Sequence, residues 1–108
     1  MSFSGRSVVM VDGARTPFGR AGAKGVFAET RADDLVVKVI RELLRRNPNL
    51  PKDRIEEVAI AATTQIGDQG LTLGRTAALL AGLPETTPGF SIDRMCAGAL
   101  TAASVVSS

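Results

Sequence analysis

Histidine is absent from this chain, and so are tryptophan and tyrosine. The first absence removes the side chain that most often serves as a general base near neutral pH and that most often ligates metals. The second leaves four phenylalanines as the only aromatics, so any core must be built from aliphatic residues and alanine. A single cysteine, Cys96, excludes an internal disulfide. That usage fits a reducing compartment: the cytoplasm or, in a eukaryote, the matrix of an organelle. No apolar run approaches the ~20 residues that cross a bilayer, so no membrane span is expected. Basic residues exceed acidic ones by two and are dispersed, with Arg45-Arg46 the one adjacent pair. Neither a nucleic-acid-binding stripe nor a polybasic membrane anchor is present in that pattern.

What is there has a clear order. At 108 residues the chain is at most one domain, long enough to bury a core. The opening "MSFSGRSVVMVDGARTPFGR" has arginine, serine and no acid before Asp12, features shared with transit peptides. Yet "SVVMVD" (Ser7–Asp12) is a β-branched, strand-like run, which places the N-terminus inside the fold. Pro17 ends that run by removing a ladder donor. A glycine-containing loop follows, then an amphipathic helix over Ala32–Arg46. Leu35, Val36, Val39, Ile40, Leu43 and Leu44 form its apolar stripe. Asp33 and Asp34 at its start and Arg45 and Arg46 at its end match the helix dipole, and Asn47-Pro48 stops it.

After "NLPKDRIEE" comes "VAIAATT", a continuous apolar run expected of a strand covered on both faces. A second helix is predicted over Leu73–Leu80, with Thr72 as its cap and Gly82 and Pro84 as its exit. A third strand-like run covers Phe90–Asp93. The last segment, Cys96–Ser108, carries no charge. The order is therefore β, α, β, α, β, α, which predicts an α/β fold with a parallel sheet. A helix with no polar face must be buried all round, so the last one should lie between two layers of protein. A three-stranded unit supplies only one. The chain also ends without a helix stop signal, so it reads as the N-terminal piece of a larger protein, cut inside a helix.

Cys96 admits two readings. Free cysteine is among the most buried residue types and commonly fills a core. Against that, Cys96 lies at a strand-to-helix junction, where reactive groups of parallel sheets gather. The amide groups and positive dipole end of a helix start favour a thiolate. Ala97, Gly98 and Ala99 leave room for an acyl group, and the backbone N–H of Cys96 is a candidate oxyanion donor. A nucleophilic thiol needs a base and usually an acid, and this chain has no histidine or second cysteine to supply them. Both readings stand on the residues alone.

The succession of "VVMVDGARTPFGR", "ADDLVVKVIREL", "LGRTAALLAGLP" and "SIDRMCAGALTA" resembles the N-terminal part of thiolases, from about Val8 to Ala103. These are the acetyl-CoA acetyltransferases and 3-ketoacyl-CoA thiolases. The resemblance implies that Cys96 is the catalytic nucleophile that carries the acyl group as a thioester. It implies acyl transfer between acyl-CoA and CoA, by thiolytic cleavage of a 3-ketoacyl-CoA or the reverse Claisen condensation. Coenzyme A is then a substrate, and no tightly bound cofactor or metal is expected. The fold implied is the βαβαβα portion of a five-layer αβαβα thiolase architecture, truncated within the helix after Cys96, with residues 1–108 forming part of the N-terminal domain. Such enzymes take their activating histidine and a second cysteine from later segments, so this chain alone should be inactive. The resemblance further implies a homodimer or tetramer, with Phe90–Asp93 as a candidate interface edge. A non-catalytic acyl-CoA binding or carrier protein of the same fold is the alternative. A redox-responsive thiol fits poorly, because no resolving cysteine is present.

Other residues receive structural readings. "GRAGAKG" lacks the ending of a phosphate-binding loop and does not follow a strand directly. Arg15, Thr16 and Pro17 read as a turn, Arg75 as a surface charge, and Met95 as packing beside the cysteine. The polar loop Gln65–Gln69 has no chemical role on sequence grounds.

Overall fold

The computed structural model describes residues 5–108. Its first helix, α1 (Ala32–Arg46), has the bounds its apolar stripe predicts. Asp33 and Asp34 lie in the first turn, Arg45 and Arg46 in the last. The residue before it, Arg31, gives no side-chain cap. Asp68 fills that role from a 3-10 turn (Gly67–Gln69): its Oδ2 accepts the Ala32 N–H at 2.6 Å. Asp33 is buried against the same end, gripped by Arg31 through two bonds of 3.0 and 3.1 Å. That guanidinium holds the Asp33 carboxyl below its ordinary range.

Two short strands, β1 (Val58–Ala61) and β2 (Gly89–Ile92), pair in parallel, with Ile60 opposite Ser91. Parallel partners need a crossover, and α2 (Leu73–Leu80) is that crossover. It packs on β2 almost without side chains between. A β-carbon on Gly74 would run into the Phe90 backbone, and one on Gly89 into Gly74 and Arg75. The small core is Val37, Ala77 and Ala81, flanked by Val36 and Ile40, where α1 meets α2. A third helix, α3 (Gly98–Ser107), lies on β1.

The α/β class, the parallel pairing and the helix positions agree with the sequence reading. Three local expectations are corrected. Ser7–Asp12 forms no strand among the described residues: Val8, Val9, Met10 and Val11 are 66% to 90% exposed. β-branched residues favour an extended backbone, but a strand is made by its partner, and this run has none beside it among the described residues. Only its C-terminal end is tied down, by Asn47 to Asp12 at 3.0 Å and Arg46 to the Gly13 carbonyl at 3.1 Å. Residues 1–4, part of the stretch weighed as a leader, lie outside the described residues.

Thr72 does not cap α2 with its side chain; it sits in the left-handed region at φ 58°. The Gly74 N–H instead finds the Ser91 hydroxyl at 3.2 Å. Arg75 is not a free surface charge, since it is half-buried and donates to the Thr87 carbonyl at 2.8 Å. α3 is covered on one side by β1, the single layer these residues were expected to supply. Gly98 and Ala102 are buried, whereas Leu100 is 74% exposed. The second layer expected over it is not among the described residues. No helix among those residues is long and apolar enough to cross a membrane.

Candidate functional site around Cys96

The junction between β2 and α3 is a tight, doubly anchored turn. At its start, the Ala62 N–H donates to the Ile92 carbonyl at 3.0 Å, extending the β1–β2 ladder to the last strand residue. At its end, Gly98 presses α3 onto β1, with the space for a side chain closed by Ala61. Five residues, Asp93 to Ala97, span the gap. Asp93 Oδ1 accepts the Met95 N–H at 3.0 Å. Met95 takes φ 47°, a left-handed conformation that non-glycine residues rarely adopt. Met95–Ala97 form a 3-10 turn, closed by Ala97 N–H to the Arg94 carbonyl at 3.0 Å and by the Gly98 N–H to the Met95 carbonyl.

Cys96 is the middle residue of that turn, two positions ahead of Gly98, and it is exposed. The sequence places it in the first turn of the helix; the structure sets it just before, on the approach to the helix N-terminus. Among the described residues Cys96 is therefore not a core filler. Ala97 and Ala99 are also exposed, so the thiol borders open, small-residue surface. Asp93 and Arg94, of opposite charge, are exposed beside it. Met95 is 73% exposed, not packed. A strand, a strained turn and a helix in succession hold the backbone at Cys96 in one geometry and leave its side chain exposed.

Other predicted or weighed residues lie elsewhere. Arg15 and Thr16 border an apolar cleft of about 720 Å3 between α1, β1 and α3, with Leu35, Val39, Ile60 and Ala102 in its walls. Cys96 does not line that cleft. The Arg15 guanidinium stacks over the Phe18 ring at 5.2 Å, which suits a turn. "GRAGAKG" is a set of turns, with Gly25 N–H on the Gly22 carbonyl at 3.0 Å. Among the described residues, no group of three or more acids or thiols is placed to hold a metal. Two functional details escape a sequence reading. Asp93 carries a local sign, an aspartate two residues before the amide it accepts. Asp68 carries none, because its partner is 36 residues away.

The chain matches the profile of the "Thiolase, N-terminal domain" family over residues 8–107. It belongs to the thiolase family. Among thiolases, the 3-ketoacyl-CoA thiolase of Aliivibrio salmonicida is 40% identical over 97 residues, 90% of this chain and 25% of that protein. The 3-oxoadipyl-CoA/3-oxo-5,6-dehydrosuberyl-CoA thiolase of Escherichia coli is 42% identical over the same length, 24% of that protein. The chain thus spans about a quarter of the curated relatives it matches. The dimeric peroxisomal thiolase of Saccharomyces cerevisiae superposes with a TM-score of 0.69 at 32% identity, covering 82% of this chain and 23% of that one. A thiolase from Ascaris suum, solved with coenzyme A, gives a TM-score of 0.66 over 77% of this chain and 21% of its own. At 22% identity that likeness speaks to the fold alone.

Proposed function

We propose that this chain is the nucleophile-bearing N-terminal part of a thiolase that transfers acyl groups between acyl-CoA and CoA, with Cys96 as the acyl carrier. The observation that carries this reading is the exposed Cys96 in the turn between β2 and α3 of a chain in the thiolase family. In the cleavage direction, the Cys96 sulfur gives its proton to a base and bonds to C3 of a 3-ketoacyl-CoA. The C2–C3 bond breaks, its electron pair passes to C2, and C2 takes a proton as acetyl-CoA leaves. The thiol of a second CoA then attacks the thioester, and the sulfur of Cys96 is released. A covalent intermediate divides one hard carbon–carbon cleavage into two easier steps.

The base and the acid are not in these 108 residues, which hold no histidine and no thiol besides Cys96. A histidine and a second cysteine elsewhere in the complete protein supply them, and this chain alone is inactive. Coenzyme A enters as a substrate rather than a resident cofactor. The complete protein assembles as a homodimer or tetramer, with Phe90–Asp93, the end of β2 and the residue after it, as interface. The single exposed thiol suits a reducing compartment, the cytoplasm or an organelle's matrix.

Mass spectrometry of the complete protein mixed with acetoacetyl-CoA tests this. The expected result is an acetyl adduct on Cys96, absent in Cys96→Ala, and discharged by added CoA. Acetyl transfer that survives Cys96→Ala would overturn the mechanism. An adduct that CoA cannot discharge would identify a carrier without turnover.

A further inference from the structure

We infer that Asp93 is a positioning residue for Cys96, holding Met95 in the left-handed conformation that turns the thiol outward between β2 and α3. The inference rests on the reading of Cys96 as acyl carrier, and deepens it. Both ends of the turn are fixed by β1 and the residue after it: the Ala62 N–H holds the Ile92 carbonyl at 3.0 Å, and Ala61 abuts Gly98. Between them the backbone must reverse within five residues, and Met95 meets that demand with φ 47°. An unbranched side chain with a β-carbon does not hold this conformation by preference. The bond from its N–H to Asp93 Oδ1, 3.0 Å, closes the turn from the side of the strand.

Two other non-glycine residues have positive φ among the described residues, Leu71 and Thr72, and they lie at the start of α2. Strain of this kind persists only where surrounding contacts over-determine it. At Met95, among the described residues, the one side chain with a hydrogen bond to the strained residue's N–H is Asp93. Without that bond, Met95 relaxes toward ordinary φ while strand and helix stay anchored. The displacement then falls on the next residue, Cys96. Misplacing a reacting atom by about 1 Å costs on the order of a hundredfold in rate.

The test measures single-turnover acylation of Cys96 by acetoacetyl-CoA, and KM, in the complete protein. Asp93→Ala is expected to slow acylation by about tenfold or more with KM little changed, because the substrate is not touched. Asp93→Asn keeps the acceptor oxygen and should acylate near the parent rate. Asp93→Glu keeps the charge but moves the acceptor by one methylene, and should be slow like Asp93→Ala. Adding Met95→Gly to Asp93→Ala should restore most of the rate, since glycine takes positive φ without help. Parent-like rates in both Asp93→Ala and Asp93→Glu would overturn the inference. So would a slow Asp93→Asn, or no rescue by Met95→Gly. If the parent itself forms no adduct, the acyl-carrier reading fails. The order of the variants in iodoacetamide alkylation of Cys96 then still reports on the turn.

Discussion

A β-carbon built on Gly98 would stand 2.9 Å from the β-carbon of Ala61, closer than real β-carbons come to a neighbour. α3 therefore sits directly on β1, and the helix cannot carry a side chain at this point without moving away. Cys96 is two residues upstream, so the separation between strand and helix also sets the height of the thiol above the sheet. Gly98→Ala gains up to about 1 kcal/mol in helix propensity but loses roughly 1–3 kcal/mol by overpacking. With the full propensity gain the expected net is a loss of up to about 2 kcal/mol in urea unfolding. A variant as stable as the parent would show that the contact has slack.

Gly74 makes the companion contact on β2, where its missing side chain lets the first turn of α2 rest on the Phe90 backbone. A backbone cannot swing aside as a side chain does, so Gly74→Ala should cost about 3 kcal/mol, at the upper end for overpacking. Ser91 supports the same join by accepting the Gly74 N–H at 3.2 Å. Ser91→Ala should cost about 1 kcal/mol. Denaturation of the two single variants and the double variant checks both figures. Because the residues touch, the two losses should not add.

These contacts mark the boundary of what the sequence makes legible. α1 is visible because its stripe repeats within the segment, and its charged ends obey a local rule. The parallel pairing follows from β–α–β order, and the place of the lone thiol at a strand-to-helix junction from where the apolar run ends. Ser7–Asp12 has the right residues for a strand, but a strand needs a neighbour, and the residue pattern does not name one. Thr72 has the right side chain for a cap, but its backbone is left-handed and the cap comes from Ser91 instead. Arg75 looks like a surface charge until Thr87, twelve residues on, brings its carbonyl back to accept a hydrogen bond from the guanidinium. What failed to show in the sequence is, in each case, a contact whose second member is distant or whose geometry is set by another element.

Asp68 is the clearest such case, and it makes a separate prediction. α1 begins after Arg31, which cannot cap, and its first amide is met by a carboxylate from the loop after β1. An anionic acceptor at a helix N-terminus combines a charge-assisted bond with a favourable dipole. Asp68→Ala should cost about 1–2 kcal/mol and Asp68→Asn less, since the amide oxygen still accepts. Hydrogen exchange should locate the effect. Amides in the first turn of α1 should lose protection in Asp68→Ala, while those near Arg46 remain as in the parent. Uniform loss along the helix would point to a general destabilisation and not a cap.

The opposite end of α1 predicts a response to acid. Glu42 accepts two bonds from Arg45, at 2.6 and 2.8 Å, and one from Arg46 at 2.9 Å. These bonds, Arg45 first, lower its pKa from 4.5 to about 2. Asp12, bonded by Asn47 and the Gly13 N–H, is also held low, as is Asp33 beneath Arg31. A carboxyl with a depressed folded-state pKa binds fewer protons folded than unfolded throughout the interval between the two values. Stability from these groups is therefore complete above the ordinary carboxylate range and is lost as pH falls through the folded values. For Glu42 that window runs from 4.5 down to about 2. The urea midpoint should hardly move between neutrality and the top of this window and should fall below it. Glu42→Gln should make the acid limb shallower, and so should high salt, because the Glu42–Arg45 pair is exposed to screening. An acid limb unchanged in Glu42→Gln would assign the acid response to Asp12 and Asp33, whose bonds fasten the N-terminal loop and the start of α1.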